Sequence, residues 1–245
     1  MEVLRQALSW IFTAANWWGT AGILARTWEH VQMVGEVLAI ALVLAVPAGM
    51  LVGHKGRGAF LAVNAAGIGR AIPSFGVIAF VFPLAIRYLP GNIGLWPTLI
   101  ALILLAVPPL LTNTYVAIRG VDPDIVEAAR GVGMSELQVL LSVELPIAAP
   151  LVLDTLRVVA VQVVATATLG AEVGWGGLGR FIVDALSVNN GPHLLAGALL
   201  VAALALIVDV TFAGLARAVA PAPAPGLRRS TLRRTTLRRR AEIGS

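Results

Sequence analysis

DPDIVEAARGVGMSELQVLLSVELP, residues Asp122 to Pro146, is a charged, glycine-punctuated stretch of 25 residues between two long apolar blocks. Its local chemistry predicts two short helices joined by a turn. Asp122 can accept from the free N–H groups that open a helix, Pro123 suits the first helical position, and Asp124 complements the positive end of the helix dipole. Ile125, Val126 and Ala129 then supply an apolar face. Gly131 and Gly133 end that helix and permit a sharp turn that side chains would block. Ser135 followed three residues later by Gln138 has the pattern of a capping box and opens a second helix. Leu137, Leu140 and Leu141 form its expected buried stripe, and Pro146 marks entry into the next apolar block.

The blocks on either side set this stretch in a membrane protein. Of 245 residues, 58% are hydrophobic and only 13% charged, with a mean hydropathy of +0.87, so the charges are too few to cover a soluble surface. Crossing the roughly 30 Å hydrocarbon layer takes about 20 helical residues. Five blocks have that length: Val31 to Val52, Ala66 to Ile86, Leu95 to Ile118, Ile147 to Leu169 and His193 to Leu215. Ala7 to Ala25 is a possible sixth, but Ser9, Thr13, Asn16 and Thr20 interleave with Trp10, Trp17 and Trp18, and an interfacial helix suits that mixture better. The expected fold is therefore an all-α, polytopic membrane bundle of about five core helices. The N-terminus lacks the charged, apolar and cleavage regions of a signal peptide.

Direction follows from the basic residues, because short positive loops stay cytoplasmic. Lys55, Arg57 and Arg70 follow the first span, Arg119 and Arg130 the third, and eight arginines from Arg217 to Arg240 the fifth. The alternate loops hold only Arg87 and Arg180. This count puts the N-terminus outside and the C-terminus in the cytoplasm, and places Asp122 to Pro146 in the cytoplasm as well. Ala41, Ala45 and Gly49 recur at a four-residue spacing that lets a neighbouring helix approach closely. Pro47, Pro73, Pro83, Pro108 and Pro109 are expected to interrupt the spans, which a bundle tolerates better than a lone helix in lipid.

A charge at the centre of a span costs about 2.5 to 3.5 kcal/mol on insertion scales, so each must face protein or water. Asp154 and Arg157 are three apart on one helical face and can neutralise one another; Thr155, Gln162 and Thr166 add polarity to the same span. Asp154, Arg157 and Gln162 read either as a pathway lining or as inter-helix polar contacts. Glu36 and Asp209 lie nearer span ends.

Within the opening stretch, Glu127-Ala128-Ala129 is followed by three residues, Gly133, nine residues and Val143-Glu144-Leu145-Pro146. That spacing resembles the EAA loop of permease subunits of type I ABC importers, E-A-A, three residues, G, nine residues, I-x-L-P, with Val143 in place of Ile. Ile72-Pro73-Ser74-Phe75, Arg119-Gly120-Val121-Asp122-Pro123 and Gly174-Trp175-Gly176-Gly177-Leu178-Gly179 are similar to the branch importing osmoprotectants such as glycine betaine, choline, carnitine and proline. Asp154 stands where that branch is expected to carry a small residue. The resemblance implies a multi-pass subunit of the cell inner or plasma membrane, with no catalytic site and no cofactor of its own. ATP would be used by a cytoplasmic ABC ATPase gripping Glu127, Ala128, Ala129, Gly133, Val143, Leu145 and Pro146. It also implies an extracytoplasmic substrate-binding protein and a second permease, either a copy or a sister subunit. The implied organisation is an N-terminal interfacial or extra transmembrane helix at 1–26, a transmembrane domain at 27–218 with the coupling loop at 119–146, and a disordered basic cytoplasmic tail at 219–245. Permeases for methionine or another small solute share much of this pattern, and a transporter driven by an ion gradient is the more distant alternative.

Other signals point away from enzymes. Gly174, Gly176 and Gly179 spell G-x-G-x-x-G but follow an apolar span rather than a strand, so a close turn or re-entrant segment fits better than a dinucleotide site. The sequence has no G-x-x-x-x-G-K-[ST] and no cysteine. His30, His54 and His193 lack metal-ligand spacing and read as loop or span-end residues. In the tail, alternating Pro and Ala from Pro221 give way to repeated Leu-Arg-Arg, whose charge favours contact with membrane lipid rather than nucleic acid.

Overall fold

The computed structural model describes residues 1–56, 67 and 73–219; the basic tail and part of the second predicted span lie outside them. Among the described residues every regular element is helical. In chain order these are α1 (Glu2–Phe12), α2 (Ile23–Lys55), α3 (Ser74–Tyr88), α4 (Leu95–Arg119), α5 (Pro123–Gly131), α6 (Glu136–Val139), α7 (Leu145–Ala167), α8 (Gly179–Ser187) and α9 (Gly191–Val219).

Four of the predicted spans correspond to α2, α4, α7 and α9, each long and apolar enough to cross a bilayer. The second, Ala66 to Ile86, is represented by α3, an apolar helix of 15 residues. Ala7 to Ala25 is not one helix. α1 has 11 residues, roughly 16 Å at 1.5 Å per residue, and a 3-10 turn at Ala14–Trp17 follows it. Asn16 Nδ2 donates to the Trp10 carbonyl at 2.8 Å and Trp17 Nε1 to that of Ile11 at 2.7 Å, satisfying carbonyls that the end of α1 leaves free. Trp10 then meets Phe181 and His193 edge-on, holding α1 against α8 and α9.

The core forms where α2, α4, α7 and α9 converge. Met33, Val37, Leu102, Leu110, Val159 and Val163 are buried there in one apolar cluster. α2 and α4 approach so closely because the small-residue row is continued by Gly53. A Cβ on Gly49 would lie 2.7 Å from the Leu111 carbonyl oxygen, and one on Gly53 2.8 Å from Ile118 Cβ. Ala41 and Ala45 are fully buried on the same row.

The prolines do not break the helices as expected. Pro47, Pro83, Pro108 and Pro109 all lie inside continuous helices, and Pro73 is the residue that precedes α3. Each interior proline removes the hydrogen bond its ring cannot donate and crowds the carbonyl four residues back, yet the helix continues through it. Nor does Pro146 begin a separate element. α6 passes into α7 through a π-helical stretch at Leu140–Glu144, in which the Leu145 N–H reaches the Leu140 carbonyl. Helix therefore runs from Glu136 to Val173 over 38 residues, its last turns, Thr168–Val173, tightened to 3-10 geometry.

Candidate functional site

α5 is built as its sequence predicts. Asp122 Oδ1 accepts from the Asp124 N–H at 3.0 Å, and Pro123 occupies the first turn. Gly133 has φ +87°, the left-handed region in which a side chain is strained. Ser135 and Gln138 form the reciprocal capping box, with bonds of 2.8 and 3.4 Å. The apolar faces differ from expectation. Val126 and Val139 are buried together with Val121, and Ala129 and Met134 pack against them. Ile125, Leu137 and Leu141 are instead exposed, as is Val132 at 80% of its surface. Of the fixed-spacing positions, Glu127, Ala128, Gly133 and Pro146 are exposed, while Ala129, Val143 and Leu145 are half-buried. The result is a charged loop on which Ile125, Ala128, Val132 and Leu137 are exposed alongside its polar side chains.

Beneath it lies a network that sequence reading missed. His54, in the last turn of α2, places Nδ1 2.7 Å from Glu144 Oε2 and Nε2 2.9 Å from Glu136 Oε2. Glu136 also receives two parallel bonds from Arg130 Nε and Nη2, each 2.9 Å. The Arg130 guanidinium holds the Glu136 carboxyl below the ordinary carboxylate range. Glu144 and the His54 side chain are buried, so their mutual pairing is what makes that burial tolerable. A cavity of about 170 Å³ adjoins the network, lined by His54, Arg119, Glu127, Arg130 and Glu144 among others. Only Glu144, standing inside the V-E-L-P signature, carried a sequence signal.

The polar residues of the fourth predicted span are arranged differently from their spacing. Arg157 does not pair with Asp154; its Nε and Nη2 donate to Oδ1 and Oδ2 of Asp209 on α9, at 2.6 and 2.7 Å. A long arginine side chain reaches the neighbouring helix, where a bidentate partner is available, in preference to a short aspartate on its own helix. Asp154 lies exposed on the same side, lining a cavity of about 210 Å³ with Arg157 and Arg217. Asp154, Val158 and Gln162 form one exposed row on α7.

At the far end of the spans, the glycine-rich segment is a close turn, with Gly174 and Gly177 at φ +82° and +76°. It is seated on the first turns of α2. The Gly177 N–H donates to Glu29 Oε2 at 2.8 Å, and the Leu178 N–H donates to His30 Nδ1 at 3.2 Å. His30 is completely buried, and its Nε2 lies 3.0 Å from the Val164 carbonyl in the last turn of α7. Arg26, Glu29, Asn92, Trp175 and Arg180 line a polar cavity of about 390 Å³ beside this turn.

Residues 41–221 match the family described as binding-protein-dependent transport system inner membrane component. The chain belongs to that family. This permease is 33% identical to the carnitine transport permease protein OpuCB of Listeria monocytogenes, over 76% of this chain and 83% of that protein. It is 32% identical to the choline transport system permease protein OpuBB of Bacillus subtilis, covering 82% and 89%, and 32% identical to the osmoprotectant import permease protein OsmW of Salmonella typhimurium, covering 77% and 88%. Its fold is similar to that of a chain of the inward-facing MetNI methionine ABC transporter, with a TM-score of 0.72 at 22% identity, over 81% of this permease and 96% of that chain. It is thus a multi-pass, all-helical ABC importer permease, a transport subunit and not an enzyme.

Proposed function

We infer that this permease carries a small osmoprotectant of the glycine betaine, choline, carnitine or proline class. A cytoplasmic ATPase docks on α5 and α6, and an extracytoplasmic binding protein delivers solute at the opposite end. Position of the basic residues supports this direction, with Lys55, Arg119 and Arg130 at the α5 end and Arg217 in the last turn of α9 beside Pro150. The observation that carries the docking assignment is the exposed apolar surface of Ile125, Ala128, Val132 and Leu137 on a loop that is otherwise capped, cross-linked and rigid. Such a surface is left for a partner, and a rigid connector passes on a rigid-body movement that a loose one would absorb. Glu127, Ala128, Ala129 and Gly133, with Val143, Leu145 and Pro146 where the loop joins α7, are the docking and coupling residues.

The row Asp154, Val158 and Gln162 faces the pathway or the second permease, identical or sister. Polar groups exposed within a span need water or protein rather than lipid. The solute class rests on the permease relatives at 30% identity and above, which are osmoprotectant permeases, whereas the methionine transporter supports the fold. ATP is used by the partner, and no cofactor is assigned to this chain. Proteoliposomes holding the permease, its ATPase and its binding protein test the reading. ATP-dependent uptake of radiolabelled glycine betaine, choline, carnitine or proline is expected, with methionine not taken up. Uptake that persists without the ATPase overturns it.

A further inference from the structure

α2 and α7 are clamped to one another at both ends, and each clamp is a histidine of α2. His54 holds Glu144, where the π-helical stretch meets α7, and also Glu136 of α6. His30 holds the Val164 carbonyl in the last turn of α7 and the Leu178 N–H of the glycine turn. The two histidines stand 24 positions apart on one helix, about 36 Å along its axis. The geometry points to α2 and α7 as a single rigid body that carries movement of the ATPase-docking loop to the glycine turn on the extracytoplasmic side, with His54 and His30 as its positioning residues. This rests on α5 and α6 being the docking surface.

The chemistry at each joint fits a stiff connection. Both ring nitrogens of His54 face carboxylate oxygens, an arrangement an imidazolium satisfies by donating twice. Charge-assisted bonds are short and strong, and a buried Glu144 left without its partner would bear the cost of desolvation alone. Arg130 extends the joint to the C-terminal end of α5. His30 is fixed as the opposite form. Its Nδ1 accepts from the Leu178 amide, so the proton is on Nε2, donating to Val164. Glu29 secures the adjoining amide of Gly177.

α7 also links the docking loop to the far end through the backbone, but the π-helical turn at Leu140–Glu144 interrupts that route at its start. α2 is α-helical from Ile23 to Lys55, including the turn around Pro47. The His54 joint therefore spans that stretch, meeting Glu136 before it and Glu144 at its end. Movement then enters α2 and α7 together and arrives at Val164 and Leu178 together.

The sequence has no cysteine, so one reporter can be placed without removing any. Glu172→Cys, at an exposed position beside the glycine turn, is labelled with a nitroxide in the full permease–ATPase complex, and its spectrum is compared before and after trapping ADP–vanadate in the ATPase. A spectral shift on trapping is expected in the parent. His54→Ala is expected to trap nucleotide but lose the larger part of the shift, with Glu144→Gln adding nothing on top. His54→Arg, whose guanidinium can meet both carboxylates, restores it. At the other joint, His30→Gln keeps the shift because the amide donates and accepts at the same two places, and His30→Leu loses it. Full shifts in trapped His54→Ala and His30→Leu overturn the inference. So does failure of assembly in both without recovery in His54→Arg and His30→Gln, which would assign the histidines to folding alone. A parent complex that binds no ATPase overturns the docking assignment instead.

Discussion

Arg157 and Asp209 tie the middle of α7 to α9 by two parallel hydrogen bonds of 2.6 and 2.7 Å, while a third of each side chain stays exposed. Removing either partner leaves an unmatched charge inside the bundle. Arg157→Met and Asp209→Leu are each expected to lower the thermal midpoint in detergent, and the double substitution to recover part of the loss. Equal midpoints in both single variants and the parent would show the pair to be energetically idle.

Gly133 has open space around it but φ +87°. A side chain there meets no neighbour, so its cost is conformational, about 1–2 kcal/mol for a β-branched residue. Gly133→Val should therefore weaken ATPase binding roughly 5- to 30-fold if the whole cost appears in the docking equilibrium. Gly133→Asn should lose less, because Asn tolerates the left-handed region. Binding of the purified ATPase to permease in nanodiscs measures the order, glycine tightest and valine weakest.

Two glycines of α2 make an internal control. Gly49 is pressed on the α4 backbone, whereas a Cβ on Gly35 meets nothing within 4 Å. Gly49→Ala should destabilise by about 1–3 kcal/mol through overpacking. Gly35→Ala should be neutral or stabilise by about 0.5–1 kcal/mol through helix propensity. Thermal unfolding of the two variants side by side separates packing from propensity.

The exposed row on α7 predicts a pattern of aqueous reactivity. Val158→Cys and Gln162→Cys should react with a membrane-impermeant thiosulfonate in the assembled transporter, faster in at least one nucleotide state than Phe80→Cys on the exposed face of α3. Val158 and Phe80 are 66% and 74% exposed in the single chain, so equal reactivity would remove the distinction between pathway and lipid.

What the sequence disclosed followed from how local each cause was. The caps at Asp122 and Ser135, the positive φ at Gly133 and the apolar lengths of α2, α4, α7 and α9 depend on neighbours a few residues away, and all were legible. His54 finds its carboxylates 82 and 90 positions along the chain, and Arg157 finds Asp209 52 positions away. No periodicity encodes such meetings. Asp154, three residues from Arg157, was the nearer candidate in sequence and the wrong one in space. Leu137 and Leu141 were misplaced for another reason: a leucine stripe signals burial against something, and within this chain their surface remains open.

The π-helical stretch at Leu140–Glu144 also acts as a phase shifter. One additional residue in a helical turn offsets everything after it by roughly 100° about the axis. Val139 can thereby turn towards the loop's own small core while Leu140, Ala148 and Val152 face the bundle. Deleting a single residue between Leu140 and Glu144 would leave both helices intact and both sets of side chains unchanged, yet swing the docking surface around the α7 axis by more than a quarter of a turn. If α5 and α6 are the docking surface proposed above, the orientation at which an ATPase meets this permease is written in the length of five residues.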